Sequence, residues 1–293
     1  MHLRHVPGSE DQSFRWCLFL RYRKGGVEMS VHIRRIWICR VCGYRHSGNK
    51  PPKECPQCSS PAGEYVLEKS KKPLSYDGKE LDLLLINGST HASHNVNILV
   101  QWAEAVLKKE GVRYRRIDLN SVNVDHCWHC YSNYDEACTF PCRNQGDEMP
   151  LLHQMLLKSK GVLIASPINW NQMSARLKDF LDRTTCIQNQ QLTRGLAPLA
   201  GRPVAILIAG HEDGAFKTAH DIFHYFQQMG YTLTPFGITY VTHGGQYNTI
   251  TDSGFIQKNV KVKRFTEATT RNLIKAIRLD LPRKFGKIEI SSE

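Results

Sequence analysis

The sequence predicts an α/β chain: a doubly wound, five-stranded parallel sheet preceded by a small four-cysteine metal-binding domain. Three observations predict it. From residue 81 onward, short apolar runs alternate with amphipathic stretches. Ahead of that region stand two Cys-x2-Cys pairs twelve residues apart. The 293 residues are enough for one large domain plus a small one.

In chain order, residues 1–28 lack sustained periodicity and carry five basic residues, which predicts an irregular basic extension. Met29 lies just before the first module and is a candidate start of translation. The metal domain is expected over 29–67 and a polar, solvated linker over 68–80. The sheet domain is expected over 81–250, and a C-terminal helix with a basic tail over 251–293. Candidate strands are 81–87, 113–119, 161–166, 204–210 and 233–241; candidate helices are 95–109, 148–158, 174–186, 215–229 and 256–277. Five strands with intervening helices predict a flavodoxin-like sandwich, in which ligands bind at the carboxyl ends of the strands.

The net charge is +12. The excess sits at the ends, with +7 over 1–80 and +8 over 258–287, while 81–257 is nearly neutral at −1. No aromatic-interleaved basic stripe is visible, so nucleic acid is not an expected partner. The basic end reads as a solvated helix face, or as a docking patch for an acidic electron-transfer partner. No apolar run approaches the roughly 18–20 residues that span a bilayer, so no membrane partner is expected. Ten cysteines are too dilute for a disulfide-stapled scaffold and fall in pairs, which points to metal or iron–sulfur chemistry in a reducing cytoplasm.

Cys39-x2-Cys42 and Cys55-x2-Cys58 can turn four thiolates toward one ion. The segment Cys39-Arg-Val-Cys42-Gly43-Tyr44, with Cys55-Pro56-Gln-Cys58, resembles the short rubredoxin-like domain appended to rubrerythrins. That resemblance implies a single iron held by the four cysteines. A structural zinc ribbon is the alternative, since both ions accept four thiolates.

Strand 81–87 runs into Gly88-Ser89-Thr90-His91, which opens a helix at Asn95 and can surround a phosphate with hydroxyls and backbone N–H groups. Strand 161–166 runs into Pro167-Ile168-Asn169-Trp170-Asn171-Gln172-Met173-Ser174 and a helix with Lys178, Asp182 and Arg183. Together they resemble the NAD(P)H-dependent FMN reductases and related iron–sulfur flavoproteins, over about residues 81–245. The resemblance implies that Ser89, His91 and Asn95 hold the FMN phosphate and that Pro167, Ile168, Asn169 and Trp170 border the isoalloxazine ring. His91 and Asn169 depart from the usual Arg and Tyr, and a core position is the alternative for Trp170. Lys178 and Arg183 are expected in helix packing and salt bridges. By fold logic Gly210 and His211 border the ring's far side. His211 and His243 are candidates for proton delivery.

A long loop carries Cys127, Cys130, Cys138 and Cys142. In iron–sulfur flavoproteins the same place bears four cysteines holding a 4Fe-4S cluster. Here Asn133 stands at the third position, and Cys142 is the candidate replacement. Zinc, a redox dithiol or cysteines without a cofactor are the alternatives. Cys17 and Cys186 are unassigned.

The expected function is FMN-dependent electron transfer, from NAD(P)H or a protein donor to the rubredoxin-type iron or to an external redox protein or small-molecule acceptor. A homo-oligomer is expected. The alternatives are an NAD(P)H-dependent FMN or quinone reductase with a zinc ribbon and, more distantly, a four-cysteine ribbon module that binds nucleic acid or a partner.

Overall fold

The computed structural model describes residues 18–23, 26–31, 36–42, 44–48, 50–67, 74–90, 95–210, 214–242 and 249–282. The chain divides into two compact units, Met1–Lys72 and Pro73–Glu293.

In the first unit, β1 (Leu18–Arg23) and β2 (Gly26–Val31) pair antiparallel, with Leu20 opposite Met29. The expected irregular extension over 1–28 therefore contains strand. Apolar and polar residues alternate on both sides of Gly25-Gly26, a turn-compatible pair. A three-stranded sheet follows, with β3 (Ile36–Cys39) between β4 (Arg45–Ser47) and β5 (Tyr65–Leu67). Cys39, Cys55 and Tyr65 form its small buried cluster.

The second unit is the expected doubly wound sheet, in the order β10-β9-β8-β6-β7. Its strands are β6 (Leu81–Asn87), β7 (Tyr114–Asp118), β8 (Ser159–Pro167), β9 (Pro203–Gly210) and β10 (Thr232–Thr242), all parallel. Side chains alternate across the central strands, as the strand period requires. Leu83, Leu85, Leu163, Ala165, Ala205 and Leu207 face one core. Leu84, Ile86, Val162, Ile164, Val204 and Ile206 face the other. Residues buried on both faces explain why these strands read as continuous apolar runs.

The first core is closed by α1 (Asn95–Lys109) and α8 (Val260–Leu279), the second by α2 (Met149–Lys158), α3 (Ala175–Arg183) and α6 (Ala215–Gln228). The expected helix over 174–186 ends early. Thr184 donates its hydroxyl to the Leu181 carbonyl at 2.6 Å, and two short helices follow, α4 (Thr185–Gln188) and α5 (Gln190–Arg194). The expected helix over 256–277 is likewise split. Asn259 caps α8, its side chain accepting from the Val262 N–H, and α7 (Thr249–Lys258) precedes it. The boundary expected at 250/251 thus falls inside α7, and Leu273, Ile274 and Ile277 of α8 pack into the first core. Strand β10 carries a bulge between Leu233 and Ile238, where Pro235 has no N–H to give the ladder. In the expected linker, Leu74 and Tyr76 pack on the second core, so solvated connector is not the whole description of 68–80.

Among the described residues no helix is long and apolar enough to cross a membrane.

Candidate functional site

Because the five strands are parallel, the loops after β6, β8 and β9 leave one edge of the sheet. The registers make them neighbours: Asn87 stands beside Ala165, and Pro167 beside Ala209.

The first loop begins at Gly88, whose N–H donates to the Ala165 carbonyl at 2.8 Å. A Cβ at Gly88 would stand 3.0 Å from both Leu177 Cβ and Ser174 Oγ, so a side chain there would press on α3 and its capping serine. Ser89 and Asn95 are buried, and the Ser89 N–H donates to Asn87 Oδ1 at 3.1 Å. Asn87 in turn donates to Asp118 Oδ1 at 2.7 Å and Asn97 Oδ1 at 3.3 Å. Arg116 reaches the same Asn97 oxygen at 2.5 Å while pairing with Glu104 and Asp118 at 2.8 Å each. A cation thus stands under the loop, but its charge is already matched, so it orients the loop rather than supplying positive charge to a phosphate. Nothing in the motif marked Arg116, because the network joins β6, α1 and β7.

The second loop is a tight turn. Asn169 and Gln172 exchange backbone hydrogen bonds at 2.8 and 3.0 Å, with Trp170 and Asn171 both left-handed at φ 51° and 58°. Two consecutive positive φ values define a type I′ turn, which is costly for tryptophan and the kind of strain that gathers at functional sites. Trp170 is 99% exposed, so the core alternative for it is excluded. Asn169 is exposed as well, while Pro167 and Ile168 are half-buried. Gly210 of the third loop passes directly over Ile168: a Cβ there would lie 2.8 Å from Ile168 Cβ.

Ser174 ties the first two loops together. Its hydroxyl donates to the Gly88 carbonyl at 2.7 Å and accepts from the Leu177 N–H at 3.2 Å, capping α3, while its N–H donates to Ser166 Oγ at 3.2 Å. These features suit FMN: a buried serine and a helix N-terminus for the phosphate, then a fixed, exposed edge for the ring. His91, His211 and His243 lie outside the described residues.

In the four-cysteine site, Cys39 Sγ lies 3.7 Å from Cys58 Sγ, and Cys42 Sγ lies 3.5 Å from Cys55 Sγ. All four sulfurs lie within 4.8 Å of one another. A tetrahedral ion with metal–sulfur bonds of about 2.3 Å separates its ligands by about 3.8 Å, so the residues fit a single iron or zinc. Burial opposes ionisation of Cys55, but hydrogen bonds from Tyr65, the Gln57 and Cys58 N–H groups and Cys42 bring its pKa down to about 6. Burial pushes Cys42 up to about 12, although the Tyr44 N–H points at its sulfur. Such N–H groups stabilise negative sulfur.

The second cysteine set is looser: among the described residues only Cys39, Cys42, Cys55 and Cys58 form a group whose ligand atoms all lie within 4.8 Å of one another. Cys127, Cys130, Cys138 and Cys142 line one pocket, joined by Cys186 of α4, which the sequence left unassigned. The cavity measures about 20 Å³, room for about one water. A four-iron cluster is far larger, so the thiols as arranged do not cage one. Asn133 is exposed.

Arg183 organises this pocket. It is 1% exposed and pairs with Asp147 at 2.6 Å, neither side chain reaching solvent. It also donates to the carbonyls of Asp125 at 3.1 Å and Asn144 at 2.9 Å. The expected packing role of Arg183 is therefore seen, as is that of Lys178, paired with Asp182 at 2.6 Å. The Cys186 thiol, with the Asn144 N–H and Arg183, brings Cys142 down to about 5 against its burial. Cys142 and burial push Cys186 well up.

The sequence pattern of the NADPH-dependent FMN reductase family matches residues 81–245, and that of the rubrerythrin rubredoxin-like domain matches 37–66. An iron–sulfur flavoprotein of Methanocaldococcus jannaschii is 26% identical over 144 residues, 47% of this chain and 68% of that protein. One of Clostridioides difficile is 25% identical over 114 residues, 38% of this chain, and the match spans about half that protein's length, 49%. Among solved structures, RosB with bound 8-demethyl-8-formylriboflavin-5'-phosphate superposes with a TM-score of 0.58 at 18% identity, covering 73% of this chain and 90% of that one. At that identity the likeness establishes the fold.

Three outcomes follow from this geometry. Ser174→Ala is expected to cost about 1–2 kcal/mol of stability by removing the cap and the Gly88 contact. It should also weaken FMN binding measured by flavin fluorescence quenching; unchanged affinity would reduce Ser174 to a cap. Arg183→Leu leaves the buried Asp147 carboxylate without its cation, holding only the N–H groups of Asp125 and Met149, and is expected to cost about 3–5 kcal/mol in urea unfolding, with Arg183→Leu/Asp147→Leu recovering part of it. Burial holds His153 neutral, lowering its pKa from 6.5 to about 4, while its ring donates to the Arg183 carbonyl at 3.0 Å. The unfolded chain then takes up the proton first, so stability is full above the unfolded pKa and falls as pH drops from 6.5 toward about 4. His153→Gln should flatten that slope in urea titrations; an unaltered slope would assign it to other groups.

Proposed function

The chain belongs to the NADPH-dependent FMN reductase family and carries a rubredoxin-like four-cysteine domain, and from that premise we propose that it oxidises NAD(P)H, or a reduced protein donor, and passes single electrons to an iron held by Cys39, Cys42, Cys55 and Cys58 and on to a redox partner. The observation that carries this reading is the pairing of a tetrahedrally spaced four-thiol site with an FMN-reductase sheet edge in one chain.

Bound FMN supplies the conversion between a two-electron donor and one-electron acceptors. The chain's own residues do the holding. Ser89, His91 and Asn95 bind the phosphate at the head of α1, where the helix dipole favours negative charge. Gly88 and Ser174 fix that loop against the second one. Pro167, Ile168, Asn169 and Trp170 would border the ring, and Gly210 and His211 are the candidates for its far side. At the metal site, the N–H groups of Tyr44, Gln57, Cys58 and Ser60 point at the sulfurs of Cys42, Cys55 and Cys58. They would favour the more negative, reduced state of an iron centre, and they would stabilise a zinc tetrathiolate of the same charge equally. The names of the relatives favour a cluster at the second cysteine pocket, and the volume of that pocket opposes it, so no step is routed through one.

The test is anaerobic purification with flavin, iron, zinc and sulfide analysis, followed by reduction with NADH and NADPH. The expected result is bound FMN, about one iron per chain and bleaching of the ferric thiolate absorbance on reduction. Cys42→Ser should lose the iron and keep the flavin. Zinc with no iron would replace the one-electron path by a reductase with a structural ribbon. Failure to bind added FMN would overturn the reading entirely.

A further inference from the structure

The knuckle that carries Cys55 and Cys58 is closed by backbone contacts on both sides of its turn. The Cys55 N–H donates to the Ser60 carbonyl at 2.8 Å, and the Ser59 N–H to the Cys55 carbonyl at 2.9 Å. One step further out, Glu54 and Pro61 form an antiparallel bridge, and the Ala62 N–H donates to the Lys53 carbonyl at 3.0 Å. Ser59 takes the left-handed conformation, φ 56°, that lets so short a turn reverse the chain. The backbone of Ser60 is thus fixed, and its side chain meets the sulfur two residues before it: Ser60 Oγ lies 3.1 Å from Cys58 Sγ. Both residues are half-buried. Cys58 supplies one of the four sulfurs gathered within 4.8 Å. A sulfur bound to a metal has lost its proton, so in the loaded site the hydroxyl donates and the sulfur accepts.

We propose that Ser60 is a positioning residue of the four-cysteine centre, whose hydroxyl bond to Cys58 biases the bound ion toward its reduced state. The inference rests on the reading of that centre as an iron site. Four thiolates leave a ferric ion with one net negative charge and a ferrous ion with two, so one added electron, with no proton, raises the negative charge carried by the sulfurs. A donor aimed at a sulfur binds it more strongly as that charge grows. Hydrogen bonds to sulfur are among the levers that set the potential of iron–thiolate centres. This donor is a side chain and not backbone, so it belongs to this sequence rather than to the shape of the knuckle. A zinc ion in the same four thiolates has no second oxidation state to bias, and the bond would then only hold Cys58 in place.

The experiment uses the full chain, reconstituted anaerobically with ferrous iron and titrated through its one-electron couple. The ferric centre is followed by its high-spin paramagnetic resonance signal, to which flavin does not contribute. Ser60→Ala is expected to bind iron as the unaltered chain does and to shift the ferric–ferrous equilibrium roughly tenfold toward ferric, a potential about 59 mV lower for one electron. Ser60→Thr, which restores a hydroxyl, should recover most of that shift. Iron bound to Ser60→Ala at an unchanged potential would overturn the inference alone, as would a Ser60→Thr potential as low as that of Ser60→Ala. Loss of iron from Ser60→Ala would overturn it too, by making the hydroxyl a requirement for binding rather than a bias between two oxidation states. An unaltered chain that takes up zinc and refuses iron would overturn the iron reading and the inference with it, and metal analysis tells that failure from the others.

Discussion

The buried pair of Arg183 and Asp147 is the interaction on which the functional half of the flavin unit depends. Taking a guanidinium and a carboxylate out of water costs several kcal/mol each before their attraction is counted. The chain offsets this by using the other guanidinium donors to bind the carbonyls of Asp125 and Asn144. Those carbonyls belong to the long loop between β7 and α2, a stretch with little regular structure that would otherwise have to satisfy its backbone in water. One side chain at the end of α3 thus fixes the loop that carries four cysteines and leaves its own carbonyl to hold His153 and Cys186.

The other end of α3 performs the matching task for the sheet edge. Ser174 begins the helix, and its hydroxyl both caps α3 and reaches the Gly88 carbonyl. The nine residues of α3 therefore stand between two sites: a serine that sets the spacing of the loops after β6 and β8, and an arginine that sets the cysteine pocket. A displacement of this helix would be felt at both, because the packed core against which Leu177, Phe180 and Leu181 lie does not deform freely.

The two sets of cysteines contrast in a way that residue spacing alone does not reveal. In the first, each pair of thiols comes from a tight knuckle, so spacing in sequence nearly dictates spacing in space. In the second, the thiols come from a loop whose course is set by distant partners, and a fifth thiol arrives from another element. Cys186 lies 44 residues beyond Cys142 in the chain, and no local pattern links them.

The sequence by itself determined the five strands, their doubly wound order, the four-thiol site and the loops of the sheet edge. Each rests on a local period, a short spacing or a turn residue, and local geometry is what a sequence encodes most directly. Only the tertiary structure decided the rest. Trp170 stands exposed because a type I′ turn points it away from the core, and α8 packs as a wall of the sheet because Ile274 and Ile277 find Leu83 and Leu163. Arg116 is spent on Glu104 and Asp118 because β7 lies beside β6, and Cys186 joins the second cluster because α3 ends at Thr184 and turns α4 into the pocket. Apart from the Trp170 turn, closed locally between Asn169 and Gln172, and the Arg116–Asp118 pair, the deciding contact joins residues well separated in the chain, and its energy exists only once the fold has brought them together.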